Sequence, residues 1–349
     1  MNISAKIKGI QYRCLLCKEL REYKLSDLKT ALEKESSFIL KVDDKMELGM
    51  SRWVSPKRTR SYPYERVYNT LGLGIKKVTI IPIIKDEGKD GDRDFLQWDT
   101  ISLMSLLGVY VIIAYYTDAK KSMKKYANKI TRQRFDLKYI KDKITNLISY
   151  QSDALHWNLK QTDEVGMIGD MAINSYVNIS KKLEVQMHSI EKAQQRINKL
   201  KQGRESFINL SRNLAEKAQK RESLSLQASE NLEGEKGEIL INNFLGGIYY
   251  FVPDEVEIID DNILITEAKH TKRGNLPSMS DIKDGLLRMV IFTNLENVEI
   301  NDKQFKPIPR LKLTSKEGFD ETKLSKRQKK SIEKLRNEAS ENKFELVLK

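Results

Sequence analysis

The chain has 349 residues, with 62 lysines and arginines against 49 acidic residues, which gives a formal net charge of +13. A hydrophobic content of 40%, with only seven prolines and 17 glycines, excludes a disordered polyelectrolyte and predicts two or three folded domains. The basic excess indicates a polyanionic partner, either nucleic acid or an anionic membrane surface, and does not choose between them.

The chain carries no obvious export or membrane signal. Its first residues, Met1-Asn-Ile-Ser-Ala-Lys-Ile-Lys, lack the apolar core of a signal peptide. The most apolar run, Ile101 to Tyr116, is shorter than a membrane span and is interrupted by Ser102, Ser105 and Gly108. We therefore expect a cytoplasmic protein that does not insert into a membrane.

The two cysteines, Cys14 and Cys17, have the spacing of half a zinc site. The other half is missing, because the three histidines, His156, His188 and His270, are scattered along the chain. A reducing compartment also disfavours a disulfide between the cysteines. We interpret both cysteines as structural.

A stretch from Arg52 to Tyr68, RWVSPKRTRSYPYERVY, alternates basic and aromatic side chains in a segment that its prolines are expected to break into a loop. Arginine can recognise guanine in the major groove, and aromatic rings can stack on bases or wedge between them. We predict that this segment contacts DNA, with a plain basic surface loop as the alternative. The basic residues are Arg52, Lys57, Arg58, Arg60 and Arg66, and the aromatic residues are Trp53, Tyr62, Tyr64 and Tyr68.

Residues 1–130 are predicted to form a mixed α/β domain. Lys76 to Ile84 and Val109 to Tyr116 are strongly apolar runs typical of buried strands. Thr100 to Leu107, which lies between them, favours a helix. Strand, helix, strand is the simplest interpretation, and this domain, which carries the Arg52 to Tyr68 segment, is the expected DNA-recognition domain.

An acidic stretch, KDEGKDGDRDFLQWDT, separates the first of these strands from the helix. It contains Asp92, Asp94 and Asp99, which we interpret as part of a loop followed by a helix cap, with Asp99 at the N-cap. A second metal site is the alternative, although no Glu-x-Lys sequence follows.

Residues 131–232 are predicted to be helical throughout and to act as a linker or dimerisation region. An apolar seam at 3-4 spacing, interrupted by Gln194, fits either a helical hairpin packed on its own domain or a dimerising coiled coil. We expect the helix that carries this seam to end at Gly203. Another helix is predicted from Glu205 to Lys220, and a linker from Ser223 to Gly237. The seam consists of Leu183, Met187, Ile190, Ile197 and Leu200.

Residues 233–349 are predicted to follow the order α, β, β, β, α, β. A capping-box sequence, Ser278 to Asp281, marks the start of the second helix. The predicted elements are a helix at Glu235 to Leu245, a strand at Ile248 to Val252, a hairpin of Glu255 to Ile259 and Ile263 to His270 around Asp260-Asp261-Asn262, a helix at Ser278 to Leu295, and a strand at Val298 to Ile300.

The predicted hairpin brings two carboxylates and a lysine together. Side chains alternate across a strand, so Glu267 and Lys269 share a face, and antiparallel pairing brings Asp254 level with them. Carboxylates are ligands that Mg²⁺ prefers, and the bound ion activates water and polarises a phosphoryl oxygen. A neighbouring lysine can hold the attacking water and neutralise charge on the phosphate. The trio therefore suits hydrolysis of phosphodiesters.

Pro253-Asp254, twelve residues, and then Glu267-Ala268-Lys269 resembles the motif of the PD-(D/E)XK nucleases. The resemblance covers roughly Glu235 to Ile300, less than a fifth of the chain. It implies a core of αβββαβ topology in which Asp254, Glu267 and the Ala268 carbonyl bind Mg²⁺ and Lys269 positions the nucleophilic water. A charged hairpin on an unrelated α+β domain is the competing interpretation.

The resemblance also implies a further acid on the first core helix. Glu238 lies in the expected place, with Glu235 as the alternative. It would help to position the metal or the lysine without itself binding the metal directly. The nuclease domain is accordingly placed at residues 233–349.

The predicted architecture, with a carboxy-terminal nuclease module, a helical middle region and an amino-terminal DNA-recognition domain, resembles that of a type II restriction endonuclease. That resemblance implies Mg²⁺-dependent, sequence-specific cleavage of double-stranded DNA into 5′-phosphate and 3′-hydroxyl ends, with a DNA methyltransferase as a genetic partner. One nuclease site for two strands predicts a homodimer. The absence of a GxxxxGK[ST] sequence argues against an ATP-driven machine. A structure-specific repair nuclease and a noncatalytic helical DNA-binding protein remain as alternatives.

Two further basic runs are candidates for phosphate contacts or for plain solvated helix faces. Ala119 to Leu147 contains ten basic and two acidic residues, and Asn301 to Lys349 contains 14 basic and eight acidic residues.

Overall fold

The computed structural model describes residues 2–57, 62–123, 127–201, 237–243 and 248–349. The fold is mixed α/β, as expected. It divides into two compact units, which we call unit 1 and unit 2. Unit 1 comprises the described parts of Met1–Glu19, Val67–Gly72 and Ala215–Lys349, and unit 2 comprises those of Leu20–Arg66 and Leu73–Leu214.

The described residues contain nine α-helices and seventeen strands. The helices are α1 (Leu28–Lys34), α2 (Pro63–Leu71), α3 (Trp98–Leu106), α4 (Leu137–Ile148), α5 (Ala154–Asp163), α6 (Val165–Leu183), α7 (Ile190–Lys201), α8 (Met279–Phe292) and α9 (Lys326–Asn342). The strands are β1 (Asn2–Ile7), β2 (Glu22–Lys24), β3 (Ser37–Lys41), β4 (Glu47–Arg52), β5 (Lys76–Pro82), β6 (Ile84–Asp86), β7 (Arg93–Phe95), β8 (Val109–Ala114), β9 (Tyr116–Lys121), β10 (Ile130–Phe135), β11 (Glu238–Asn243), β12 (Ile248–Phe251), β13 (Glu255–Ile259), β14 (Asn262–Thr271), β15 (Glu296–Ile300), β16 (Lys303–Ser315) and β17 (Glu345–Leu348).

Unit 2 is built on a five-stranded sheet with the order β2-β3-β4-β5-β8. The apolar runs predicted as strands form β5 and β8, which pair in parallel and are connected through α3. Val78, Ile80 and Ile112 are fully buried in its core, as expected for parallel strands covered on both faces. The predicted strand, helix, strand order is therefore confirmed.

The predicted N-cap of α3 is wrong. The helix begins at Trp98, and its N-cap is Gln97, whose backbone is extended. Asp99 lies inside the first turn and is only 2% exposed. A carboxylate in the first turn is still favourable, because it faces the positive end of the helix dipole.

The helical region has two departures from the prediction. It begins with a strand, β10, which pairs antiparallel with β9. The apolar seam is also broken, because α6 ends at Leu183 and Glu184 adopts a left-handed conformation (φ 51°) before α7 starts. Ile197 is fully buried against Gly169 of α6, where an added Cβ would lie 2.6 Å from Ile197 Cδ1. The buried part of the seam thus packs within its own chain, as in the helical-hairpin interpretation.

Three of the predicted features in this region lie outside the described residues. They are the helix end at Gly203, the helix from Glu205 to Lys220, and the linker from Ser223 to Gly237 as far as residue 236. None of the helices in the described ranges is long and apolar enough to span a membrane.

Unit 1 is built on an eight-stranded sheet with the order β12-β11-β1-β15-β16-β14-β13, and β17 also pairs with β16. The first strand of the chain, β1, pairs parallel with β11 and antiparallel with β15. Ile3, Ala5 and Ile7 lie at alternate positions of β1, and their side chains are buried in the core of unit 1. The units therefore differ from the predicted division at residues 130 and 232, since the amino-terminal strand belongs with the carboxy-terminal third.

The helix predicted at Glu235 to Leu245 is wrong, because Glu238–Asn243 forms the strand β11. Ile239 and Ile241 are fully buried at alternate positions, and β11 is paired on both sides, by β1 and β12. The αβββαβ order is consequently not observed at its start. From Glu238 onwards the order is β11, β12, β13, β14, α8, β15, β16, α9, β17.

The remaining predicted elements of this region are confirmed. β13 and β14 form the expected antiparallel hairpin, with Asp260 in a left-handed conformation (φ 55°) at its turn. α8 is capped by Ser278, whose side chain forms a reciprocal capping box with Asp281. β14 then pairs in parallel with β16, so that α8 packs against both strands.

A buried acid explains why residues near the amino terminus belong to unit 1. Glu338 of α9 accepts hydrogen bonds from the hydroxyls of Tyr68 (2.7 and 2.8 Å) and Tyr12 (2.9 Å). It also accepts from the backbone N–H groups of Leu15 (2.8 Å) and Leu16 (3.0 Å). Burial raises the pKa of Glu338, although these donors oppose the rise. One carboxyl group thus ties two distant segments to α9.

Candidate active site

The β13–β14 hairpin places Asp254 beside the end of β14. The Asp254 N–H donates to Thr266 O at 3.1 Å, which continues the ladder of the hairpin by one residue. Its carboxylate oxygen Oδ2 accepts a hydrogen bond from the Ala268 N–H at 2.8 Å. The structure thereby brings Asp254 together with Glu267, Ala268 and Lys269, as the hairpin geometry predicted.

Lys269 lies between two carboxylates. Its Nζ is 2.9 Å from Glu267 Oε1 and 3.0 Å from Asp284 Oδ2. Arg288 approaches the same Glu267 oxygen, with its Nε at 3.7 Å. Asp284 and Arg288 lie one turn apart on α8, and neither was identified from the sequence. The i, i+4 spacing of an acid and a base was visible there, but it did not show which strand the pair would face.

A glycine allows α8 to lie close to the strands. A Cβ added to Gly285 would lie 2.7 Å from Leu311 Cδ1 on β16 and 3.5 Å from Lys269 Cε. The missing side chain therefore lets the helix approach until Asp284 reaches Lys269. On the next turn, the Arg288 guanidinium lies 4.1 Å from the centre of the Phe251 ring, a cation–π contact that fixes its direction.

The five charged groups form a partly enclosed network. Glu267 is only 2% exposed, and the others, Asp254, Lys269, Asp284 and Arg288, are half-buried. Burial and the nearby charge of Glu267 raise the pKa of Asp254 to about 7, although Lys269 and Arg288 oppose this rise. When Asp254 is ionised, the three carboxylates exceed the two cations by one negative charge.

The charge on Lys269 is held in place by its neighbours. Burial alone would lower the pKa of its ammonium group, but Glu267 and then Asp284 raise it above the usual lysine value. Lys269 is therefore a stable cation at neutral pH, held between Glu267 and Asp284.

The donor set fits a hard divalent cation. Asp254 and Glu267 supply carboxylate oxygens, and a cation between them would relieve the repulsion that raises the pKa of Asp254. The C=O of Ala268 points to the same side of β14 as its N–H, which faces Asp254. In the described ranges no three or more acid, histidine or cysteine side chains converge on one point. Mg²⁺ suits such a sparse site, because it keeps several waters and commonly binds one or two carboxylates.

Glu238 does not occupy the position that the sequence predicted for it. It lies at the start of β11, directly after Gly237, where an added Cβ would be 2.7 Å from Val256 Cγ2. Its expected role depended on a helix, and that support is lost. The acid that contacts Lys269 from a helix is Asp284. Glu235 lies outside the described residues.

The predicted DNA-binding segment is only partly a surface loop. From Pro63 onward it forms α2, and Pro63 occupies the first helical position, where proline is favoured. Trp53, Tyr64 and Tyr68 are buried, whereas Tyr62 is 49% exposed. The prediction that aromatic rings of this segment stack on bases is therefore wrong for these three residues, because their side chains are buried in the core.

The basic residues of this segment have different surroundings. Arg52 Nε donates to Glu35 O at 2.8 Å, and Arg66 donates to Arg52 O at 2.8 Å. Burial, followed by the charge of Arg52, lowers the pKa of Arg66 to about 10. Lys57 is half-buried. Arg58 and Arg60 lie outside the described residues, so their predicted DNA contacts stay predictions.

The second acidic stretch does not gather its carboxylates. Asp94 on β7 accepts from Ser55 Oγ at 2.8 Å, while Asp99 lies in α3 and Asp92 is exposed. These three are not among any group of potential metal ligands in the described part of the chain.

Comparison of the chain with protein-family models, with curated proteins and with solved structures finds no match. Its function must therefore be inferred from the arrangement of its own side chains, because a fold class by itself does not imply an activity.

Proposed function

We propose that this protein is a Mg²⁺-dependent nuclease that hydrolyses phosphodiester bonds of double-stranded DNA. The observation that carries the proposal is the convergence of Asp254, Glu267 and Lys269 at one end of a hairpin, with Lys269 Nζ 2.9 Å from Glu267. Two hard oxygen ligands beside a fixed cation are what a metal-assisted attack on phosphate requires. A basic chain adds attraction for the polyanionic substrate.

The residues divide the work between the metal and the substrate. Asp254, Glu267 and the Ala268 carbonyl would hold Mg²⁺, which when bound polarises a phosphoryl oxygen and lowers the pKa of water. Lys269 would donate a hydrogen bond to the attacking water and neutralise charge that develops on the phosphate. Asp284 keeps the Lys269 ammonium charged and directed by contacting it at 3.0 Å.

Arg288 is suited to bind the phosphate itself. Its guanidinium is held over the Phe251 ring and faces the Glu267 side of the site. A planar guanidinium can donate two parallel hydrogen bonds to phosphate oxygens, which a lysine cannot. Arg288 would therefore orient the scissile phosphate while Lys269 acts on the attacking water.

We further propose that cleavage is sequence-specific, as in type II restriction endonucleases, and leaves 5′-phosphate and 3′-hydroxyl ends. This finer proposal is supported by the resemblance of the motif and by the absence of a nucleotide-binding GxxxxGK[ST] sequence from these 349 residues. A neighbouring methyltransferase gene would strengthen it.

Cutting both strands implies two sites, so we propose a homodimer on DNA. The pairing surface is not the seam from Leu183 to Leu200, because that seam is interrupted at Glu184 and Ile197 is buried within its own chain. Light scattering with and without duplex tests the proposal. A monomer in both conditions that cuts both strands in one binding event would contradict it.

Digestion of a plasmid of known sequence, with Mg²⁺ or with EDTA, tests the nuclease proposal. Discrete fragments that require Mg²⁺ are expected, whereas a smear would indicate a nonspecific or structure-specific nuclease. An intact plasmid at every metal and salt concentration would contradict the proposal and favour a noncatalytic DNA-binding protein. Glu267→Ala should be inactive, and Glu257→Ala, an exposed acid on the same hairpin, is the matched control.

A further inference from the structure

Helix α9 carries its charges in the reverse of the order that favours a helix. Its first turn contains no acidic residue, and its last turn contains no basic residue. Cations near the amino end of a helix are disfavoured by the helix dipole. An arrangement that costs helix stability indicates that these cations serve a partner outside the helix. The basic residues are Lys326, Arg327, Lys329, Lys330, Lys334 and Arg336, and the acidic residues are Glu333, Glu338 and Glu341.

The first four of these cations are exposed. Arg336, further along the helix, is paired with Glu321 at 3.0 Å. The capping box between Ser325 and Gln328 occupies the N–H groups of these two residues at the start of the helix. An anion bound in this region would be held mainly by the exposed cationic side chains.

Two loops extend this charge toward the candidate site. The Lys316 N–H donates to Thr271 O at 3.1 Å, and the Asp320 N–H donates to Asn275 Oδ1 at 2.9 Å. The loops that follow β14 and β16 consequently lie side by side, and the second leads into α9. We define the cationic patch as the exposed residues Lys272, Arg273, Lys316, Lys326, Arg327, Lys329 and Lys330.

The cationic patch and the candidate site share the elements that carry them. Lys272 follows Lys269 by three residues, about 10 Å of extended chain or roughly three base pairs of duplex. Helix α9 also packs on α8, the helix of Asp284 and Arg288. Ile332 and Leu335 of α9 line one apolar cavity together with Met279 and Ile282 of α8.

We infer that the cationic patch binds the sugar-phosphate backbone of the duplex whose scissile phosphate enters the candidate site. The inference rests on the proposed nuclease function and adds that the catalytic unit holds its own substrate. An anionic membrane fits the patch less well. None of the large hydrophobic side chains that are exposed in the described ranges lies in the segments that carry the patch, residues 271–278, 315–325 and α9, so these segments offer no apolar anchor.

The test replaces four cations at a time by glutamine. The patch variant carries Lys326→Gln, Arg327→Gln, Lys329→Gln and Lys330→Gln. The control variant removes the same charge elsewhere in unit 1, with Lys6→Gln, Lys8→Gln, Lys303→Gln and Lys306→Gln, all exposed. Binding of a 30-base-pair duplex is measured without Mg²⁺ between about 50 and 200 mM salt, the range over which phosphate contacts change affinity strongly.

Each lost phosphate contact should reduce the slope of log K against log salt by about 0.9. In the patch variant, we expect the absolute value of this slope to be smaller than in the wild type by about 2 to 4. In the control variant, we expect it to be smaller by less than about 1. The patch variant should also melt no lower than the wild type, because it removes cations from the wrong end of a helix. Equal slopes for the two variants would overturn the inference.

Binding and cleavage separate the inference from the proposed function. A protein that never cuts DNA, but whose binding slope depends on the patch, would refute the nuclease and retain the patch as a nucleic-acid surface. A protein that cuts DNA with an unchanged slope in the patch variant would retain the nuclease and refute the patch. Tighter patch-dependent binding to phosphatidylserine vesicles than to the duplex would refute a nucleic-acid partner.

Discussion

Two acidic hairpins in this protein have similar composition but very different arrangements. In unit 2, β6 and β7 place Asp86 and Asp94 on paired strands, yet each has a separate partner. Asp86 contacts His188 and the Gly88 N–H, each at 2.8 Å, and Asp94 accepts from Ser55 at 2.8 Å. These carboxylates are used individually to hold loops and helices in place.

In unit 1, the β13–β14 hairpin brings Asp254, which directly precedes β13, close to Glu267 on β14. The charge of Glu267 contributes to the raised pKa of Asp254, and Lys269 contacts Glu267 directly. The acid content of a hairpin is therefore a poor guide to a site. A cation site depends on whether the strand register places two carboxylates close together. Only in that arrangement can one bound cation interact favourably with both carboxylates.

Loss of cleavage should be the largest effect that separates the two hairpins. Glu267→Ala and Lys269→Ala should each lower the cleavage rate by about a thousandfold or more, because in the proposed mechanism they remove a metal ligand and the cation at the attacking water, respectively. DNA binding should be largely kept, since phosphate contacts elsewhere supply it. Initial rates and a binding titration measure the two quantities.

The exposed Asp92→Asn of unit 2 is the control for this pair of variants. It should cut at the wild-type rate. If Asp92→Asn were as inactive as Glu267→Ala, or if Lys269→Ala cut normally, the proposal that the β13–β14 hairpin and not the β6–β7 hairpin carries the active site would be contradicted.

Glu338 is a buried acid of a different kind, because its hydrogen-bond donors are all neutral. Glu338→Ala should lower the free energy of unfolding by about 3–5 kcal/mol, since it leaves two tyrosine hydroxyls and two backbone N–H groups without an acceptor. Urea denaturation measures the loss. Glu341→Ala, an exposed acid three residues later, should stay within about 0.5 kcal/mol of the wild type.

Asp284 tests whether α8 contributes to the site. Asp284→Asn removes one of the two carboxylates that contact Lys269 and should lower kcat by about 10- to 100-fold. The dissociation constant for DNA should stay within about twofold, because the patch and not Asp284 contacts the backbone. Restoration of at least part of kcat by Asp284→Glu would support positioning of Lys269. An unchanged kcat in Asp284→Asn would remove α8 from the mechanism.

Stability without metal should depend on pH through Asp254. Its folded pKa of about 7 lies above the unfolded value of roughly 3.9, so the folded state holds the proton more tightly. The contribution is fully present below the unfolded pKa and is lost as pH rises toward 7.

In EDTA, the wild type should therefore lose about 2–3 kcal/mol of stability between pH 5 and pH 8 relative to Asp254→Asn. Urea unfolding of both proteins at the two pH values measures this difference. Mg²⁺ should restore stability to the wild type at pH 8 and have a smaller effect on the variant. Identical pH dependence in the two proteins would show that Asp254 and Glu267 do not face each other.

Local features of the sequence determined the parts of the fold that depend on near neighbours. The alternation from Ile263 to Lys269 and the turn at Asp260 were enough to predict the hairpin register and the meeting of Asp254 with Glu267. The capping box at Ser278 marked the start of α8 for the same reason, since its hydrogen bonds span only three residues.

Tertiary structure alone decided which distant segments meet. Glu238 lies in a strand and not in a helix because β1, from the other end of the chain, pairs with it, and no local pattern encodes that partner. Asp284 joins the site because Gly285 lets α8 approach β14 and β16 closely. Periodicity shows which face of an element is apolar, but the identity of the surface that covers this face depends on the packing of the whole unit.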